Sequence, residues 1–264
     1  MRSETLTFMC NPYQGEPLIQ QGNRLVGIAS RQEFEIRDGI PVILTAESLA
    51  GRNWRSKFIY DLTACWYDPI VSLGDRIGLN TELRVRREYI ARIEIKPGAR
   101  VLETAAGTAS NLRFLPDEIQ YYGLDISFAM LKYAQQKAEK SGRQVELVQA
   151  DCGYIPFCDE VFDCVIQMGG LQFISNPFKA ISEMARVARP GAAIHIVDEV
   201  RGALITLGNM PAHRKYAVPD KIIDGVKRLV PQSMVNVQSH AIPETQFYAL
   251  SFQRPVVPNR EATR

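Results

Sequence analysis

Three acidic residues, Glu103, Asp125 and Asp151, close or directly follow the apolar runs ARVLET, IQYYGLD and VELVQAD. A carboxylate at such a position can accept hydrogen bonds from a polar ligand lying across strand tips. Asp125 is placed to accept both hydroxyls of a ribose, and Asp151 to accept from the exocyclic amine of a base. TAAGTAS follows directly on Glu103, and its small side chains let a backbone approach a ligand closely before a helix begins. Three acids with no Lys or Arg near that loop repel phosphate, so the pattern expects a nucleoside carrying positive charge, not NAD or ATP. A second group could handle an acceptor. Asp198 and Glu199 end the run AAIHIVDE, and His213 lies in the loop beyond it. That loop, from Arg201 to Val218, adds Leu204, Ile205, Leu207 and Met210. Upstream, Tyr60, Trp66 and Tyr67 crowd one segment that could roof a site. His195, inside its apolar run, reads as a hydrogen-bonded core residue.

Such groups converge only if the runs are strands of one sheet. From Ala99 onward, short apolar runs alternate with helical periodicity: SFAMLKYAQQKAEKSG has apolar residues at 128, 130, 131 and 134 and stops at Gly142, and PFKAISEMARVARPG has them at 178, 181, 184 and 187. SNLRFLP predicts a helix ending at Pro116. Strands alternating with helices of this length imply crossover connections, hence an α/β parallel sheet covered on both faces. A helix near Asp220–Leu229 and strands at MVNVQSH and QFYALSFQRP follow. Before Ala99 the pattern differs. Residues up to Leu44 read as a small β unit, 47–57 as a polar linker, Phe58–Leu73 as an aromatic helix broken near Pro69, and Leu79–Ile93 as an amphipathic helix. The run Arg84, Arg86, Arg87, Arg92, interleaved with Glu82, Glu88 and Glu94, reads as a solvated helix face.

VLETAAGTA, YGLDIS-x-AML, QAD, FDCVIQMGGL and EMARVARPGA, in that order, resemble the class I S-adenosylmethionine-dependent methyltransferases, nearest the ubiquinone/menaquinone C-methyltransferase-like set. The resemblance covers about residues 99–200 and implies a doubly wound, seven-stranded, mainly parallel Rossmann-like sheet with S-adenosylmethionine as cofactor. It implies that Glu103 orients the methionine amino group, Asp125 holds the ribose, and Asp151 with Cys152 holds the adenine amine. Ile126 would pack on the ring, and the Met168–Gly169 turn would meet the methionine end. Where the family usually has three glycines, this loop has Ala105, Gly107 and Ala109. The first 44 residues resemble the zinc-ribbon-like segment that precedes many bacterial methyltransferase domains. Its two C-x-x-C pairs read here as Cys10–Asn–Pro–Tyr13 and Ile28–Ala–Ser–Arg31, so one cysteine cannot assemble a four-ligand zinc site. No metal is expected. The segment is read as a metal-free relic serving as a platform, for a homodimer or a protein partner.

Composition narrows the rest. The chain has 264 residues, 46% hydrophobic and 23% charged, with 31 basic against 29 acidic residues, too balanced to grip a polyanion by bulk charge. Nucleic acid is therefore disfavoured as a partner. No apolar run is long enough to span a membrane, and the N-terminus lacks a signal-peptide core, so a cytoplasmic location is expected. Five cysteines, at 10, 65, 152, 158 and 164, form no repeating framework and read as free thiols in a reducing compartment. The expected organisation is a ribbon-like segment at 1–45, a linker and capping helices at 46–98, a methyltransferase domain at 99–254 and a tail at 255–264. The expected activity is methyl transfer to a small, apolar or aromatic metabolite at carbon, oxygen or nitrogen, with catalytic candidates His213, Tyr60, Tyr67 and Asp198. Competing readings are an rRNA or tRNA base methyltransferase and a non-catalytic methyltransferase-like interaction protein.

Overall fold

A computed structural model describes residues 2–46, 48–49, 52–76, 82–200 and 218–256. A short helix α1 (Ser3–Leu6) leads into an antiparallel meander of β1 (Cys10–Asn11), β2 (Glu16–Gln21), β3 (Arg24–Gly27), β4 (Glu33–Arg37) and β5 (Ile40–Ile43). Two helices follow, α2 (Arg52–Arg76) and α3 (Glu82–Ile90). The alternating part then runs β6 (Arg100–Thr104), β7 (Gln120–Asp125), α4 (Phe128–Lys140), β8 (Val145–Ala150), β9 (Phe162–Met168), α5 (Pro177–Val187) and β10 (Ala188–Glu199). It closes with α6 (Asp220–Lys227), β11 (Val235–Ala241) and β12 (Phe247–Gln253).

Seven strands in the order β8-β7-β6-β9-β10-β12-β11 form the expected doubly wound sheet. β12 runs antiparallel to both β10 and β11, and the other pairings among these seven are parallel. β6 and β9, the central strands, are buried almost throughout, as strands of a parallel sheet covered on both faces are. α4 starts where the Ser127 hydroxyl accepts from the Met130 amide at 3.2 Å, and it buries Met130, Leu131, Ala134 and Ala138 along one stripe. Each of the larger side chains contributes about 1.5–3 kcal/mol on burial. α5 starts at Asn176, which caps Lys179, with Pro177 at the first helical position.

The β-rich start is not a separate ribbon. β5 pairs in parallel with β8 (Val42 with Gln149, Ile43 with Ala150), extending the sheet to twelve strands. Cys10 and Cys158 are joined by a disulfide between residues 148 apart in the chain, which corrects the reading of five free thiols. Cys65, Cys152 and Cys164 remain free. A pairing at that separation leaves no spacing pattern to read. Where a ribbon's two knuckles would share a metal, the Glu16 carboxylate joins them. It accepts from the Ala29 amide (2.6 Å), the Ser30 amide (3.0 Å), the Ser30 hydroxyl and the Asn11 side-chain amide (3.2 Å).

Three local expectations shift. The segment 47–57 is not wholly linker, because α2 begins at Arg52, and Pro69 sits inside that helix without ending it. The helix expected from SNLRFLP is only one 3₁₀ turn at Leu112–Phe114. Arg86, expected on a solvated face, is buried.

Candidate active site

The carboxyl ends of β6, β7 and β8 deliver Glu103, Asp125 and Asp151 to one edge, all buried. The loop after β6 is held open by left-handed backbone at Ala105 (φ 52°), Gly107 (φ 55°) and Ala109 (φ 52°). A side chain at Gly107 would point into space with no protein atom within 4 Å, which is the room a ligand needs. Asp125 fixes this loop, accepting from the Gly107 amide at 2.8 Å through one oxygen and from the Ser127 amide at 2.8 Å through the other. Each carboxylate oxygen keeps a second lone pair, so two ribose hydroxyls can still be accepted. Burial pushes the Asp125 carboxyl up to about 6. Ile126 beside it is half-exposed, an apolar surface for a base, and Cys152 is buried against the same edge. Asp151 accepts from the Gly153 amide at 2.9 Å and from the Asn53 side chain at 2.8 Å, and burial raises its pKa.

Glu103 is the most buried of the three acids, 1% exposed. Its oxygens accept from Asn111 (2.5 Å) and from the Tyr121 hydroxyl (2.6 Å). The same Asn111 accepts from Arg86 at 3.0 Å, and Arg86 also donates to Glu82 at 2.6 and 2.9 Å. A side chain at Gly169 would lie 3.4 Å from the Arg86 guanidinium. A cation therefore stands beside the Met168–Gly169 turn, which overturns the expectation of an edge without Lys or Arg. Alternating charges hid it: Arg86 sits among solvated neighbours in sequence, and only the packing of α3 turns it inward. Met168 is buried at the end of β9, and Gly169 and Gly170 (φ 89° and 98°) make the turn that follows.

Helix α2 lies across all three strand-end loops. Asn53 bonds Asp151, Asp61 accepts from the Ser127 hydroxyl (2.5 Å), and Asp68 accepts from Thr108 (2.7 Å), Ser110 (2.9 Å) and Lys137 (2.8 Å). The spacing 53, 61, 68 places these residues close to one helix face. That spacing was the readable signal, obscured by the more prominent aromatics. Of those, Tyr60 and Tyr67 turn inward, with ring centres 6.5 Å apart, and Phe173 lies 5.8 Å from Tyr60. Trp66 points away and is 64% exposed, so it does not roof the site. Asp125, Asp198, Glu82 and Glu199 all act on Tyr60, and burial first, then these charges, raise its pKa. Asp198 is fully buried at the end of β10, accepting from the Gln172 amide (3.0 Å) and the Glu199 amide (2.8 Å), and burial pushes it up to about 7. His195, half-buried, meets the Tyr89 hydroxyl at 3.3 Å and is pushed down to about 4 by desolvation, in keeping with a core role. His213 and the loop around it (201–217) lie outside the described residues.

The family described as "Methyltransferase domain" matches residues 102–196. Phosphatidylethanolamine N-methyltransferase of Cereibacter sphaeroides is 36% identical over 182 residues, 64% of this chain and 86% of that protein. Demethylmenaquinone methyltransferase of Renibacterium salmoninarum is 30% identical over 53% of this chain, a match spanning just over half (56%) of that relative. Among solved structures, a putative S-adenosyl-L-methionine-dependent methyltransferase from Methanococcus maripaludis superposes with a TM-score of 0.57 at 14% identity, covering 75% of this chain and 95% of that one, which supports the fold. The strand order, the small-residue loop after β6 and the two curated relatives agree, and the chain is a methyltransferase of the class I S-adenosylmethionine-dependent family, similar to the ubiquinone/menaquinone C-methyltransferase-like set.

Proposed function

We propose that the chain methylates the amine of a small amphiphilic acceptor whose apolar part lies against Tyr60, Tyr67 and Phe173. The observation that carries this reading is the carboxylate-rich surround of Tyr60, where Asp125, Asp198, Glu82 and Glu199 act together on a buried aromatic cluster. Such a pocket disfavours a phenolate or phosphate and favours a group arriving as an ammonium, through charge and through the aromatic faces. In the proposed arrangement Asp125 takes the ribose, Asp151 and Cys152 the adenine edge, and Ile126 the base face. Ala105 and Gly107 give the backbone approach. Arg86 takes the methionine carboxylate, with Met168 and Gly169 lining that end. S-adenosylmethionine supplies a methyl group already activated on a sulfonium. The protein's part is then to align the acceptor, exclude water and remove one proton. Asp198, with a pKa near 7, is suited to take that proton from the ammonium and leave the nitrogen lone pair free to attack. Tyr60 keeps its proton and can donate a hydrogen bond for orientation.

The relatives lend support on both sides, one named for an ethanolamine lipid and others for a quinone precursor. The test is labelled-methyl transfer to a panel of ethanolamine-headgroup lipids, free amines, quinols, phenols and ribosomal or transfer RNA. Saturable labelling of amines with Asp198-dependent turnover is expected. Labelling confined to quinols would move the reading to C-methylation, and labelling confined to RNA would end the small-molecule reading.

A further inference from the structure

Helix α2 is amphipathic in the reverse of the usual sense. The face turned toward the protein carries Asn53, Asp61 and Asp68 in the hydrogen bonds above, while the outward face carries Trp54, Phe58, Leu62, Trp66, Ile70 and Leu73, each more than half exposed. We propose that this outward face docks on the interfacial region of a lipid bilayer.

Four observations favour that occupant. At 1.5 Å per residue the stripe is about 29 Å long, and with Ile59 and Cys65 at its margins it spans roughly 160° of the helix. A contiguous apolar patch of that extent is unusual on a monomer in water. An arc so wide and convex exceeds the narrow seam that a partner helix covers, whereas a fluid interface moulds to it. The stripe contains both tryptophans of the chain, the side chain suited to the boundary between headgroups and acyl chains. Among the described exposed residues of the arc the only charge is Arg55, a cation that complements anionic headgroups. The polar face is tied to three separate loops, so the helix cannot roll its apolar side inward. No described helix is long and apolar enough to cross a membrane, and α2 would lie in the interface plane. The proposal goes beyond the acceptor reading and stands without it.

The test uses the full chain with vesicles of phosphatidylcholine and phosphatidylglycerol, read by tryptophan emission. Because the only tryptophans are Trp54 and Trp66, docking should shift emission to the blue, and acyl-brominated lipid should quench it. Leu62→Glu should weaken partitioning at least tenfold while S-adenosylmethionine affinity, melting temperature and transfer to a water-soluble acceptor stay unchanged. Unshifted emission of the native chain with vesicles, or partitioning unaffected by Leu62→Glu, overturns the proposal. So does a native dimer that Leu62→Glu dissolves without any vesicle binding, since the face would then belong to a second copy. Failure of the acceptor panel leaves this binding readout untouched.

Discussion

The N-terminal meander and the carboxyl edge of the sheet use buried carboxylates in opposite ways. Glu16 is enclosed by donors from Asn11, Ala29 and Ser30, and those hydrogen bonds, led by the Ser30 hydroxyl, hold it at about 2. Asp125 and Asp198 accept from backbone amides alone among the described bonds, and burial lifts them to about 6 and about 7. One carboxylate is a strut that ties Asn11 to the turn at Ala29 and Ser30. The others hold acceptor capacity that folding leaves unused, which a ribose or a proton can take. The difference lies in the side-chain donors aimed at Glu16 and in depth, because burial outweighs the backbone amides at Asp125 and Asp198.

The sharpest way to break this comparison is at the loop that separates ligand from protein. Gly107→Val puts a β-branched side chain on left-handed backbone and into the open space of the site, so calorimetry should find cofactor binding abolished in a folded protein. Next, Asp198→Asn should lower kcat by about 10²–10⁴ with cofactor affinity nearly unchanged, the scale of a lost general base. In the native enzyme kcat should rise with pH through about 7, and in the variant that rise should vanish. Stability should move the other way. A carboxyl raised on folding contributes stability below its ordinary pKa, and that contribution is lost as pH rises through about 7. Asp198→Asn should therefore melt higher than the native chain at pH 8.

Smaller effects sharpen the contrast. Asp125→Ala should weaken cofactor binding by about 1.5–3 kcal/mol, the range for hydrogen bonds to a charged group. Unchanged affinity would remove Asp125 from the site. Glu16→Gln should lower the melting temperature at neutral pH. A depressed carboxyl contributes stability above its ordinary value near 4.5, lost as pH falls through about 2, so the gap between variant and native should close over that window. A gap that persists at pH 2 would show the effect to be steric. Smallest of all, Ala109→Gly should stabilise the chain by about 1 kcal/mol, because Ala109 is held at φ 52° where glycine rests without strain.

The alternating part of the fold was legible because each element carries its own signal. Buried strands such as FDCVIQM read as short apolar runs, and α4 and α5 announce themselves by periodicity and by Ser127 and Asn176 as caps. Asp125 and Asp151 could be placed because strand ends in a parallel sheet converge by rule. Helix α2 was only half legible: its aromatic content was plain, but its polar anchors Asn53, Asp61 and Asp68 find meaning only through their partners on other elements. The chain by itself determined the strand order's family, the acidic edge and the small-residue loop, all of which depend on local spacing. Tertiary structure alone decided that Arg86 turns inward, that Trp66 faces out while Tyr60 faces in, that Glu103 accepts from Asn111 and Tyr121, and that Cys10 meets Cys158. Each of those depends on which face of an element is covered by a distant segment, and no local period records that.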